Sequence, residues 1–290
     1  MCIRNLTGKI SVDLLQLKLY EGLKSRSSGG RRKGEDKMIF DTHAHYDDEQ
    51  FDQDREELLT SMPSLGVGTI VNVSATYESC ARSVQLASQF PNVYAAVGIH
   101  PDEVGTLNDM KFDEMKKLFD NEKVVAVGEI GLDYYWDNES HEDQGKWFIR
   151  QLDLARQKNL PVIIHSREAA ADTMYIMQNY AHDLKAVIHC YSYSVEMAEE
   201  YVKMGYYIGV GGVVTFKNAK KIKEVVKKVP LERILLETDC PYLAPVPFRG
   251  KRNQSSYIQY VVQEIAALKG VAEEEVIART EQNAREFYNL

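Results

Sequence analysis

His43 and His45 stand one residue apart in the stretch MIFDTHAHYDD, residues 38–48. In an extended strand, side chains two positions apart leave the same face, so both imidazoles project together, with aspartates close by. Paired imidazoles beside carboxylates suit a divalent metal ion. A histidine-containing loop without a ligand is the plainer alternative, and the rest of the chain has to decide between them.

Those side chains need elements to hold them. From Met38 on, short apolar, β-branched runs alternate with helical stretches. The runs are MIFDTHAH, TIVNVS, VYAAVGIHP, VVAVGEIGLD, PVIIHS, KAVIHCYS, YYIGVGG and RILLETDCP. Segments such as 52–65, 77–90, 141–158 and 217–228 carry helical periodicity, and helices over 256–268 and 273–288 close the chain. Strands alternating with helices predict a parallel sheet, and continuous apolar runs predict strands buried on both faces. Eight such units in roughly 250 residues predict an α/β fold, a (β/α)8 TIM barrel with extra C-terminal helices. An open doubly wound sheet is the rival. No GxGxxG follows the first strand, which excludes only the dinucleotide binders of that class.

A barrel collects its chemistry at the C-terminal ends of its strands. Those ends carry His43 and His45, Asn72, His100, Glu129 with Asp133, His165, His189, and Glu237 with Asp239. Five of the seven histidines are therefore expected at one rim, with His141 and His182 on the solvent side. A buried neutral histidine is satisfied singly; a cluster beside carboxylates calls for positive charge. Two divalent cations (Mg, Mn or Zn) would supply it. His43, His45 and Asp239 should share one, because strand eight neighbours strand one in a closed barrel. His165 and His189 should share the other, with Glu129 bridging. Asp239 is then the expected general base for a metal-activated water. An acid after a strand, such as Asp239, more often caps a turn, so the expectation rests on the six together.

Composition sets outer bounds. The chain has 290 residues, 44% hydrophobic and 27% charged, an ordinary globular balance. A net charge of −8 argues against coating nucleic acid through bulk electrostatics, so such a role would need a local site or metal ions. Cys2, Cys80, Cys190 and Cys240 form no close-spaced pair, which argues against a zinc ribbon or disulfide framework and fits a reducing, cytoplasmic setting. No run approaches a membrane span, and no signal-peptide pattern opens the chain. Residues 1–37 read as an N-terminal extension. SVDLLQLKLYEGL suggests one amphipathic helix and KSRSSGGRRKGEDK a flexible lead-in. A docking arm, or a tail without a fold of its own, would both fit. KGEDKM can also be encoded with a ribosome-binding sequence, which makes Met38 the expected natural start. The hydrolase barrel is expected over 38–290.

The motifs FDTHAH, GIHP, GEIGLDYY, PVIIHSR, IHCYS, GGVVTF, LLETDCPYL, RGKRN and TEQNAREFY follow one another through nearly all of residues 38–290. In that order they resemble the TatD family of metal-dependent deoxyribonucleases. The resemblance implies a (β/α)8 hydrolase that uses divalent metals to cut DNA, often from a 3′ end. It also implies ligand roles for His43, His45, Glu129, His165, His189 and Asp239, the six reached from the strand ends. Many relatives with this barrel bridge their metals through a carboxylated lysine; here Glu129 stands on strand four. The family often has a second histidine after GIHP, where this chain has Asp102. It usually has Phe then Ser-Gly after IHC, where this chain supplies Tyr191 and Tyr193.

A phosphodiester substrate needs cations near the metals. Arg249, Lys251 and Arg252, on the loop after strand eight, are the expected phosphate contacts, against a plain solvated loop. Arg167 is a further candidate or a helix cap. His100 is expected to touch substrate phosphate or the leaving group, against a role in tuning the rim. Asp133 and Glu237 are expected to support the ligands or orient water. Tyr134, Tyr135 and Trp136 would stack on bases or pack their loop. Cys190 and Cys240 are expected to be small buried groups. The favoured reading is a monomeric deoxyribonuclease acting on single-stranded DNA or 3′ ends. A hydrolase of another ester or amide, aminoacyl-tRNA included, shares the same site chemistry. A non-catalytic barrel serving as a scaffold is the rival from another class.

Overall fold

The computed structural model describes residues 37–136 and 138–290; the expected N-terminal helix, its lead-in and Cys2 lie outside them. Eight parallel strands follow one another in chain order around the sheet: β1 (Ile39–Ala44), β2 (Val67–Val73), β3 (Val93–Val97), β4 (Val124–Asp133), β5 (Val162–Arg167), β6 (Ala186–Ile188), β7 (Tyr207–Val210) and β8 (Ile234–Leu236). A parallel bridge between Ala44 and Cys240 joins the end of β1 to the segment after β8. This is the (β/α)8 barrel expected from the alternation.

The helices are α1 (Arg55–Ser61), α2 (Tyr77–Gln89), α3 (Asp109–Lys116), α4 (His141–Lys158), α5 (Ala170–Tyr180), α6 (Val195–Lys203), α7 (Lys220–Lys228), α8 (Ile258–Lys269) and α9 (Glu273–Tyr288). Local chemistry fixes several starts. Thr76 and Ser79 form a reciprocal capping box on α2, and the Ser140 hydroxyl accepts from the Asp143 N–H at the head of α4. Among the described residues no helix is long and apolar enough to cross a membrane.

Two strands are shorter than the apolar runs suggest. β6 stops at Ile188 and β8 at Leu236, so His189, Glu237 and Asp239 follow the last paired residue. β4 does the opposite. Its pairing with β5 slips between Val127 and Ile130 and continues to Asp133 opposite Arg167. Glu129 therefore sits within this irregularity and not at a strand end. The extra residue re-aims its side chain, as bulges commonly do beside active sites.

One apolar cluster takes a residue from every strand, among them Phe40, Ala96, Ile163, Val187, Tyr207 and Leu235. Contributions from all eight strands put this cluster in the barrel interior. Phe287 and Tyr288 at the end of α9 join it; Tyr288 stacks on Phe40 at 5.7 Å between ring centres and donates its hydroxyl proton to the Thr42 carbonyl at 2.8 Å. Burying two such aromatics is worth about 1.5–3 kcal/mol each. The two-residue period of a strand then carries the argument upward. Two positions beyond Ile163, Val187 and Leu235 stand His165, His189 and Glu237. Their side chains enter the same interior, one layer closer to the C-terminal mouth.

Candidate active site

The first cluster forms where β1 meets the segment after β8. Backbone bonds align the seam: the Asp239 N–H donates to the His43 carbonyl at 2.9 Å and the His45 N–H to the Cys240 carbonyl at 2.8 Å. Asp239 adopts φ 56°, a left-handed backbone that Asp tolerates better than most residues. Its Oδ1 lies 3.2 Å from His45 Nε2 and 3.7 Å from His43 Nε2. The two imidazole Nε2 atoms are 3.1 Å apart.

Glu129 divides the site. Its Oε2 faces His43 Nε2 at 3.3 Å and His45 Nε2 at 3.9 Å. Its Oε1 faces His165 Nδ1 and His189 Nε2, both at 2.7 Å. One carboxylate thus touches both histidine pairs, which arrive from β1, β5 and the end of β6. His165 is gripped on its other side, where Nε2 lies 2.9 Å from Asp133 Oδ2.

Electrostatics follow from this packing. Burial opposes ionisation of Glu129, but the facing His189, His43 and His165 overcome it and hold the carboxyl well below its usual range. Burial likewise works against the His45 imidazolium, yet Asp239 and Glu129 outweigh it and hold the ring up at about 10. His165 behaves the same way between Asp133 and Glu129, at about 9. His43 goes down to about 4, through burial and the neighbouring His189.

The donor chemistry fits divalent cations. His45 Nδ1–H donates to the Val73 carbonyl at 2.8 Å, so in the neutral ring Nε2 offers its lone pair toward Asp239 and Glu129. Such a convergence of lone pairs is stable only around a proton or a metal ion. Four overlapping groups of described residues could hold one: His43, His45 and Glu129; Glu129, His165 and His189; His43, His189 and Glu237; and His100, Asp133 and His165; within each the ligating atoms lie within 4.8 Å of one another. Imidazole nitrogen with carboxylate oxygen suits zinc and manganese, and accepts magnesium less well.

A buried frame holds these groups. Glu237 Oε1 accepts from the Cys190 N–H at 2.6 Å and lies 3.7 Å from His189 Nδ1. Gly209 makes room for it, since a Cβ there would overlap Glu237 Oε2. Asp41 accepts from the Thr238 and Ser255 hydroxyls, both at 2.6 Å, and from the Thr238 N–H at 3.0 Å. It staples β1 to the segment carrying Asp239. Asn253 does similar work, donating to the Thr238 and Tyr242 carbonyls at 2.9 and 2.8 Å. Sequence reading left Asp41 and Asn253 unassigned; their positions inside FDTHAH and RGKRN are the signal that was available.

The cluster floors a cleft of about 950 Å³. His45, His100, Glu129, Asp133, His165, His189 and Asp239 reach its wall, and so do Arg82, Arg167 and Trp136. Glu237 and His43 lie just beneath, each 1% exposed. His100 Nδ1 accepts from the Asp102 N–H at 3.2 Å, which leaves its Nε2 as the N–H nitrogen, 3.9 Å from Glu129 Oε1. Burial and the nearby His165 keep that ring neutral, with its pKa down to about 3.

The basic loop is arranged otherwise than expected. Arg252 forms a fork with Asp54, at 2.8 and 2.6 Å, and also donates to the Gln50 carbonyl. Arg249 lies over the Phe216 ring at 4.4 Å. Neither residue, nor Lys251, lines the cleft. Asn72, expected on the rim, instead faces the α2 layer and donates to Asp47 and Ser83 at 2.8 Å each. The aromatic trio divides: Tyr134 packs on His141 and donates to Asp172, while Tyr135 lies against the Arg167 guanidinium at 3.8 Å and Trp136 lines the cleft, 55% exposed. Cys240 is buried as expected, whereas Cys190 is half-buried and touches the cleft. Arg82 was not anticipated; it stands on α2, where periodicity gives no hint that its side chain reaches the mouth.

A family model described as TatD related DNase matches residues 40–289. The uncharacterized metal-dependent hydrolase YabD of Bacillus subtilis (strain 168) is 43% identical over 254 residues, covering 87% of this chain and 100% of that protein. The uncharacterized metal-dependent hydrolase YcfH of Escherichia coli (strain K12) is 36% identical over 257 residues, covering 87% and 96%. Among solved structures, the TatD homologue YjjV of Escherichia coli K12 superposes with a TM-score of 0.82 at 33% identity, over 88% of this chain and 99% of that one.

Proposed function

Because this chain belongs to the TatD family of metal-dependent hydrolases, we propose that its barrel mouth holds two divalent cations and hydrolyses phosphodiester bonds at the ends of single-stranded DNA. The observation that carries this reading is Glu129, whose two oxygens face two different histidine pairs. His43, His45, Asp239 and Glu129 Oε2 would hold one cation; His165, His189 and Glu129 Oε1 would hold the other. Bound there, the cations supply Lewis acidity to a phosphoryl group and lower the pKa of water.

The chain's own groups do the rest. Asp239 is the general base: burial opposes its ionisation, but the His45 contact holds the carboxyl below its ordinary value, so it is ready to take a proton at neutral pH. His100 offers its Nε2–H to a phosphoryl or leaving oxygen and stays neutral while doing so. Arg167, aligned by Tyr135, takes a flanking phosphate, and its delocalised fork suits that task. Trp136 and Tyr242, 55% and 51% exposed, offer faces to unpaired bases. Bases inside a duplex are already stacked, so these faces favour a free or frayed end.

The test is an assay with end-labelled single-stranded DNA and added magnesium, manganese or zinc, run beside Asp239→Asn. Stepwise shortening by the wild type is expected, with a loss on the order of 100-fold or more in the variant. Equal rates would remove Asp239 from the mechanism. Turnover of an aminoacyl ester or amide with no DNA cleavage would replace the substrate assignment.

A further inference from the structure

Beside the catalytic cleft lies a second hollow of about 330 Å³. The two share Cys190, Ser192 and Val213 in their walls, so they are immediate neighbours. The deep wall of the hollow is apolar, with Tyr191, Gly209 and Ile222 buried. Exposed Lys220 and Lys221 also line it. Neither ammonium has an acidic partner within the described residues, and exposed Lys217 has none either. Lys223 and Lys227, farther along α7, do have such partners: Lys223 pairs with Glu264 at 2.7 Å and Lys227 with Glu224 at 3.1 Å. Arg249, with no acidic partner among the described residues, lies over Phe216, the residue preceding Lys217.

Four cations without acidic partners among the described residues thus gather here, in a chain of net charge −8. They border an apolar hollow whose wall is shared with the catalytic mouth. The complementary ligand is an anion with a flat apolar face. A strand of nucleic acid offers both in each nucleotide, and the hollow falls at the small end of ligand pockets, enough for one nucleotide and too small for a duplex. We propose that it is a nucleotide subsite. A base flanking the scissile bond enters beside Tyr191 and Ile222, and the adjoining phosphates lie on Lys220 and Lys221, with Lys217 and Arg249 continuing the track. This assignment deepens the phosphodiesterase reading above and rests on it for the identity of the strand.

Binding separates the two claims. Fluorescein-labelled decathymidylate with phosphorothioate linkages, which keep the charge and resist hydrolysis, is titrated with the metal-loaded protein, by anisotropy, over a salt series. The Lys220→Ala/Lys221→Ala double variant should bind about tenfold more weakly. Its slope of log K against log salt should be shallower by roughly 1.4, for two lost phosphate contacts at about 0.7 each. Asn218→Trp, which fills the hollow from its exposed side, should weaken binding with the slope unchanged. Hydrolysis of a small diester such as bis(p-nitrophenyl) phosphate should be unaffected in both variants. Unchanged affinity and slope in both variants, or no binding by the wild type, would overturn the subsite. Binding with these effects but no cleavage would keep the subsite and overturn the hydrolytic reading.

Discussion

Asp239 Oδ1 lies 3.2 Å from His45 Nε2, across the seam where the last strand returns to the first. The opposite ring nitrogen donates to the Val73 carbonyl, so the tautomer is set by backbone before any ligand arrives. At neutral pH this pair is an ion pair, with His45 held up at about 10. A cation taken up here displaces a proton.

Metal binding should therefore release protons near pH 7.5, from His45 and from His165, whose pKa is held at about 9. Calorimetric titration in buffers of different ionisation enthalpy measures this directly; an enthalpy independent of buffer would contradict it. Affinity should rise with pH until both rings are neutral. The sign for the metal-free fold is opposite. Raised histidine pKa values stabilise the native state fully below the unfolded value of about 6.5, and that gain is lost as pH rises through about 9 and about 10. Metal-free protein should lose melting temperature across that alkaline window more steeply than His45→Asn.

Glu129→Gln keeps shape and removes the charge that faces both histidine pairs. Both cations should weaken together, so metal content per chain falls as a unit. Loss from one half alone, by elemental analysis after dialysis, would show that Glu129 serves a single cation.

Glu237 carries no expected ligand role, yet it lies 3.7 Å from His189 Nδ1 and holds the Cys190 N–H. Glu237→Gln should lower metal affinity by about 10–100-fold, the usual cost of losing a carboxylate behind a ligating histidine. Gly209→Ala forces a methyl group against the same carboxylate and against the backbone of His189. It should cost about 1–3 kcal/mol of stability and weaken metal binding as well. A stable variant of normal affinity would show that Glu237 has room to move.

Asp41 holds the barrel seam. Asp41→Ala leaves the Thr238 N–H and the hydroxyls of Thr238 and Ser255 without their acceptor, at a cost of about 3 kcal/mol. Burial pushes the Asp41 carboxyl up to about 6, against hydrogen bonds that pull it down. The native state then holds a proton that the unfolded chain has released, so this group's contribution falls as pH rises from about 4 to about 6. Urea melts of wild type and Asp41→Asn over that range check the sign; the asparagine variant should lack the slope.

Arg252 is fastened to Asp54 at 2.6 and 2.8 Å. Arg252→Ala should cost about 1 kcal/mol of stability, the scale of a partly exposed ion pair, while KM for DNA stays within about twofold. A large KM increase would return this residue to the substrate.

The amino-acid sequence determined the barrel and the histidines and acids that gather at its mouth. Apolar runs spaced by helices allow few folds other than a parallel barrel, and where a strand is regular, as in β5, its two-residue period fixes which side chains enter the interior. That is why His165 and His189, legible in the sequence as strand-end residues, enter the interior two places beyond Ile163 and Val187. Tertiary structure decided the rest. The slip in β4 that aims Glu129 between the histidine pairs depends on its register with β5. Whether Arg252 reaches a substrate or Asp54 depends on where two loops almost 200 residues apart come to lie. The same holds for the hydroxyls that converge on Asp41, and for Arg82 and Arg167 at the cleft. Periodicity encodes the face of an element; it does not encode the path of a loop or the partner a long side chain meets at its end.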